Sequence, residues 1–97
     1  MYATVRRATF RHDSIEEVVR RVQESFVPAM TGSQGFVDFY MVSLGNGVIS
    51  TISVFESETA AEEANKFFSE WARRELVSFL QGPPDLAIGE VMIHATK

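Results

Sequence analysis

The sequence predicts an α+β domain of the ferredoxin-like type, β-α-β-β-α-β, with a four-stranded antiparallel sheet and helices on one face. Three observations carry that prediction. Gly35 to Ser57 holds two apolar, β-branched and aromatic runs joined by Gly45-Asn46-Gly47, a strong hairpin signal. A stretch of helical period lies on each side of the hairpin. A run of strand-formers then lies at each outer end, so the order of elements follows. The crossover rule places the first and third strands in the centre and the second and fourth at the edges.

Residues 2–10 alternate, with Tyr2, Thr4, Arg6, Ala8 and Phe10 on one face and Ala3, Val5, Arg7 and Thr9 on the other. An arginine on each face means that at least one points toward a core or an interface. Ser14-Ile15-Glu16-Glu17 fits a capping box, and the helix it opens is expected to run to about Met30. Ile15, Val18, Val19, Val22 and Phe26 form its apolar stripe, and Pro28 makes its last turn irregular. In the hairpin, Phe36, Asp38, Tyr40, Val42 and Leu44 share one face of the first strand, with Val37, Phe39, Met41 and Ser43 opposite. Val48, Ser50, Ile52 and Val54 alternate with Ile49, Thr51, Ser53 and Phe55 on the second. Both faces are largely apolar, so both must be covered. Two helices cover one, and a second copy of the chain is the expected cover for the other. Ser57-Glu58-Thr59 opens the second helix, with Thr59 to Glu62 as a second capping box. Ala60, Ala61, Ala64, Phe67, Phe68 and Trp71 give its stripe. The phase shifts after Trp71, which predicts a kink or a second short helix before Gly82-Pro83-Pro84 stops it. The last strand is expected over Leu86 to Ala95, with Glu90, Met92 and His94 on one face.

Ninety-seven residues make one domain, residues 1–97, with a single core. Hydrophobic residues make up 45% and the net charge is −4 with the signs interspersed, which argues against a nucleic-acid or anionic-membrane surface. There is no cysteine, and His12 and His94 stand in no metal-ligand spacing. No apolar run approaches the ~18 residues of a membrane span and the N-terminus has no apolar leader core, so a cytoplasmic chain is expected.

Gly35-Phe36, Val54-Phe55-Glu56-Ser57, Trp71, and Gly82-Pro83-Pro84 before Gly89-Glu90-Val91 together resemble the dimeric α+β barrel superfamily. More narrowly, they resemble its antibiotic-biosynthesis-monooxygenase-like domains. The resemblance spans essentially the whole chain and rests on packing and turn features. It implies a homodimer whose sheets pack face to face, with a small-molecule cavity between sheet and helices in each protomer. Some members oxidise aromatic polyketides with O₂ and neither metal nor flavin, and others cleave haem. The haem-cleaving branch has an Asn on the first strand and a Trp and an iron-binding His on the second helix. Those positions are Arg6, Ala64 and Arg74 here, so haem cleavage by that route is not expected. Trp71 lies two helical turns beyond the Trp position and is not its equivalent.

The candidate reactive residues are Arg6, His94 and Tyr40. Arg6, if it faces the helices, offers a guanidinium to a carboxylate or phenolate; the competing reading is an ion pair with Glu90 or Asp38. His94 on the last strand is a candidate general base, set against an exposed histidine near the C-terminus. Tyr40 would help to orient a substrate; Asp38, on the same face, reads as an edge-strand charge. Trp71, Phe67, Phe68 and Met92 are the candidate substrate-binding residues, set against plain core packing, with Met30 and Met41 as adaptable lining. Two functions follow. One is a cofactor-independent monooxygenase acting on a small aromatic or quinol-type substrate. The other is a non-catalytic small-ligand-binding or stress-response dimer. Neither calls for a cofactor or a metal.

Overall fold

A computed structural model describes all residues, 1–97. Four strands, β1 (Tyr2–Thr9), β2 (Phe36–Gly45), β3 (Val48–Phe55) and β4 (Asp85–Glu90), form one antiparallel sheet in the order β2-β3-β1-β4. The central and edge strands are those the crossover rule predicts. The first helical stretch comprises α1 (Ile15–Arg21), a wide π-type turn (Val22–Phe26) and α2 (Val27–Thr31). The second is α3 (Glu58–Glu75), followed by a short 3₁₀ turn at Val77–Phe79. Pro28 explains the wide turn. It has no N–H to give to the carbonyl of Glu24, and its ring crowds that carbonyl. Val27 accordingly donates to the Val22 carbonyl, five residues back.

Both helical stretches lie on one face of the sheet. Between them sits the core of Phe10, Val18, Val22, Phe26, Met30, Ile49, Phe55, Ala61, Trp71 and Leu76. Phe26 is its centre, with ring centroids 4.8 Å from Phe68, 5.3 Å from Trp71 and 5.7 Å from Phe39. Val18, Val22 and Phe26 of the predicted stripe are buried against the sheet, while Val19 is 38% exposed.

Several local expectations are corrected. The Ser14 capping box does not form: the Ser14 hydroxyl contacts Asp13, while Glu17 pairs with Arg20. Arg20 also reaches Glu24 at 2.8 Å, and this fork holds the Glu17 carboxyl below its ordinary range. Ser57, not Thr59, caps α3, its hydroxyl accepting from the Ala60 N–H at 3.1 Å. In β2 a bulge at Val37 lets Phe36 pair with Phe55 and Asp38 with Val54. The face assignment changes there. Phe36, Phe39 and Met41 pack on the core, while Asp38, Tyr40, Val42 and Leu44 face the open side. β4 ends at Glu90, not Ala95, after the Val91 N–H bonds the Met1 carbonyl at 2.9 Å. The last residue pair of β1 and β4 is Tyr2 with Glu90.

The turn Gly45-Asn46-Gly47 has positive φ throughout, 86°, 56° and 79°. Gly47 has a second reason to be glycine. A Cβ there would lie 2.5 Å from the Phe10 carbonyl, because Phe10 N–H bonds the Gly47 carbonyl at 2.8 Å.

Candidate functional site

The alternation of β1 puts Thr4 and Arg6 on the helix side, and the cross-strand partners of β3 are Ser53 and Thr51. These four polar residues form a square on the face that the core covers. Thr4 is 1% exposed and Ser53 0%, Arg6 9% and Thr51 7%. The Thr4, Thr51 and Ser53 hydroxyls and Arg6 Nη1 have no hydrogen-bond partner in the protein. Each such group costs about 1–3 kcal/mol when left unpaired, so the square is the largest polar irregularity of an otherwise apolar interface.

Arg6 is aimed rather than neutralised. Its Nη2 donates to Asn65 Oδ1 at 2.6 Å, and its Cζ stacks 3.9 Å from the centroid of Phe68. Both partners lie on α3. Neither Glu90 nor Asp38 compensates it. Glu90 pairs with Tyr2 at the far end of β1, and Asp38 lies on the open face beside His94. The ion-pair reading is therefore overturned. Burial alone pushes the Arg6 guanidinium down to about 10, which leaves it charged at neutral pH.

Arg6 and Thr51 line a cavity of about 290 Å³ between the sheet and the helices. Its apolar walls are Ala8, Phe10, Val18, Val22, Met41, Ile49, Phe68, Ala72, Leu76 and Leu80. The exposed lining residues, Ser69, Arg73, Val77, Pro84, Asp85 and Leu86, form a mouth between the C-terminal half of α3 and edge strand β4. Arg73 and Asp85 are the charged groups of this rim, so Arg6 is the one interior charge. Pockets of this kind, apolar with a few convergent polar groups, are the usual form of a small-molecule site.

The other predicted site residues are distributed differently. Phe68 lines the cavity. Trp71 does not: it is 3% exposed, its indole N–H donates to Ser25 Oγ at 2.9 Å, and it packs on Phe26. Phe67 is 41% exposed and borders a shallower hollow with Met30, Ala60 and Glu63. Tyr40 is exposed on the open face. Met92 is exposed beyond the end of β4. His94 lies off β4 entirely, with Nε2 3.1 Å from Asp38 Oδ2, on the side of the sheet away from the helices. The structure thus brings Arg6 and Phe68 together and leaves His94, Tyr40, Trp71, Phe67 and Met92 outside the cavity.

Asn65 and Thr51 were assigned no role from sequence. Asn65 is fixed as a site residue only by a contact spanning 59 positions. Thr51 and Ser53 did carry a signal: polar residues alternating with Ile49 and Phe55 on one face of a strand that proves to be central.

No family model matches the chain, and no curated protein matches it in sequence. Among solved structures the fold has many counterparts. A protein of unknown function from Nitrosomonas europaea superposes with a TM-score of 0.80 at 14% identity, covering 99% of this chain and 93% of that one. A monooxygenase of Streptomyces coelicolor in complex with nanaomycin D gives 0.79 at 17% identity, covering 99% and 91%. The haem degrader MhuD of Mycobacterium tuberculosis, with two haems bound, gives 0.74 at 18% identity, covering 99% and 100%. The chain has the ferredoxin-like α+β fold of the antibiotic-biosynthesis-monooxygenase-like proteins. No histidine, cysteine or tyrosine lines the cavity, Met41 does, and Arg74 is exposed.

Proposed function

We propose that the cavity beside Arg6 binds a small aromatic or quinol-type molecule and that the protein oxidises it with O₂, without a protein-bound metal or flavin. The observation that carries this reading is a buried, charge-uncompensated Arg6 set in the wall of an apolar cavity. The likeness to a monooxygenase in complex with nanaomycin D supports it at the level of fold. In such a reaction the substrate is the electron donor. A phenol or quinol loses a proton, the resulting anion gives one electron to O₂, and the radical pair joins at a ring carbon as a peroxide; with the proton returned, the O–O bond breaks and the C–H hydrogen of that carbon leaves with the outer oxygen as water, so that a carbonyl remains on the ring. The contribution of the protein is to lower the cost of the anion. Arg6, desolvated and held by Asn65 and Phe68, is preorganised toward negative charge. Phe68, Val22 and Leu76 keep water from the reacting ring. No general base converges with Arg6. The proton therefore leaves toward the mouth, where Asp85 is the exposed carboxylate. This replaces the arrangement in which His94 and Tyr40 would do that work.

The test is O₂ uptake and product absorbance with a panel of quinols and anthrone-type phenols, each against its uncatalysed rate. Turnover that Arg6→Met lowers at least about tenfold supports the reading. Rates equal for the two proteins, or equal to background, overturn it.

The alternative, a non-catalytic binder, is favoured by the missing base; it predicts tight binding with no O₂ uptake. Either way we propose a homodimer. Val5, Tyr40, Val42 and Leu44 lie 41–55% exposed on the open face, a continuous apolar surface that a second sheet would cover.

A further inference from the structure

We infer that the ligand of the cavity is a planar aromatic monoanion, its oxyanion seated between Arg6 Nη1 and the Thr51 hydroxyl. This rests on the cavity being a binding site, as proposed above, and not on any oxidation taking place there.

Three features define the ligand. The first is charge. Arg6 is the only ionised group in the interior of the cavity, and the two charged residues at the rim, Arg73 and Asp85, are of opposite sign. An interior carrying one uncompensated positive charge favours one negative charge, and a neutral ligand would leave the guanidinium as costly as before. The second is the number of donors. Nη2 is already engaged by Asn65, so Nη1, with two N–H groups, is the buried corner of the guanidinium left without a partner. The one neighbouring orphan on a residue that also lines the cavity is the Thr51 hydroxyl, likewise buried, directly across the strand pair. These donors from adjacent strands match a carboxylate or a phenolate. A phosphate or sulfate dianion would bring more charge than one guanidinium offsets. The third is shape. The remaining wall is apolar and includes the Phe68 ring, and the volume of about 290 Å³ holds one or two fused rings. The burial that pushes Arg6 down to about 10 has the same origin: its charge has lost water and gained no anion.

The experiment compares a matched pair by calorimetry at pH 7.5: 2-naphthoate and 2-naphthamide, identical in ring and differing in charge. The wild-type protein is expected to bind naphthoate roughly ten- to a hundredfold more tightly, the value of a hydrogen bond to a charged group in a dry site. Arg6→Met should bring the two ligands to near parity. Thr51→Val should weaken naphthoate roughly tenfold. Arg6→Lys, which keeps the charge but not the fork, should retain a reduced preference for the anion and serves as the control should Arg6→Met fold poorly. Equal affinity of the wild-type protein for both ligands would overturn the anion assignment while leaving the cavity standing. A preference for naphthoate that survives Arg6→Met would overturn it too. Failure of both ligands to bind would sink the cavity reading together with this inference. Binding with the predicted preference but no O₂ uptake by any quinol would leave the inference intact and remove the oxidative reading alone.

Discussion

Replacing Arg6 by methionine should make the empty protein no less stable, and somewhat more so. A drop of the guanidinium from its ordinary range to about 10 corresponds to about 3 kcal/mol, at about 1.4 kcal/mol per pH unit. That cost disappears with the charge. Against it stand the hydrogen bond to Asn65, worth about 1 kcal/mol, and the stacking on Phe68, worth about another 1 kcal/mol. Methionine recovers part of the second through its contact with the ring. The net gain is about 1 kcal/mol, a rise in Tm of roughly 4–8 °C for a domain of this size. If Arg6 were instead half of a buried ion pair, removing it would strand a carboxylate and cost about 3–5 kcal/mol. Thermal melts at fixed protein concentration separate the two cases. A fall in Tm of about 10 °C or more would refute the reasoning, because it would mean that the charge is compensated. The pH dependence gives a second check. The folded state holds the Arg6 proton less tightly than the unfolded chain. The penalty is therefore complete below about pH 10 and declines as pH rises from there toward the ordinary guanidinium range. The advantage of Arg6→Met over wild type in urea melts should be constant at pH 7–9 and shrink above about 10. Thr51 and Asn65 face Arg6, and only Asp85 and Arg73 at the rim could add a charge effect of their own.

Three further substitutions divide structural from functional roles. Trp71→Phe should lower stability by about 1–3 kcal/mol, since it gives up the bond to Ser25 and thins the core around Phe26, yet change 2-naphthoate affinity less than about twofold; calorimetry and melts read both. His94→Ala should cost no more than about 1 kcal/mol in urea melts, because the pair with Asp38 is part-exposed, and should leave any O₂ uptake unchanged. Val42→Glu on the open face should give a folded monomer by sedimentation, with the circular dichroism of the parent, if that face joins two copies.

Much of this fold was legible because its determinants are local. Gly45-Asn46-Gly47 fixes the hairpin through backbone conformations that few residues adopt, and the stripe from Val18 to Phe26 fixes which side of the first helix meets the sheet. Alternation puts Arg6 and Arg7 on opposite faces of β1 but does not say which face meets the helices. What was not legible depends on distance or on a single extra residue. The bulge at Val37 moves Phe36 to the core face and leaves Asp38 and Tyr40 on the open one, a change that no period-2 pattern reveals. β4 stops at Glu90, four residues before His94, an end that the alternation of Glu90, Met92 and His94 does not mark. Trp71 was open to a pocket reading beside the favoured core one until its indole found Ser25, 46 positions away. The site itself depends on Asn65, a residue with no signature of its own, which turns Arg6 from a surface-type cation into an aimed one.

The most direct test of the central claim is a crystal structure of the protein grown with 2-naphthoate. The account predicts the naphthalene ring against Phe68 and Leu76, with one carboxylate oxygen about 3 Å from Arg6 Nη1 and the Thr51 hydroxyl. A ligand bound on the open face of the sheet, or a cavity holding only water with Arg6 hydrated, would contradict it.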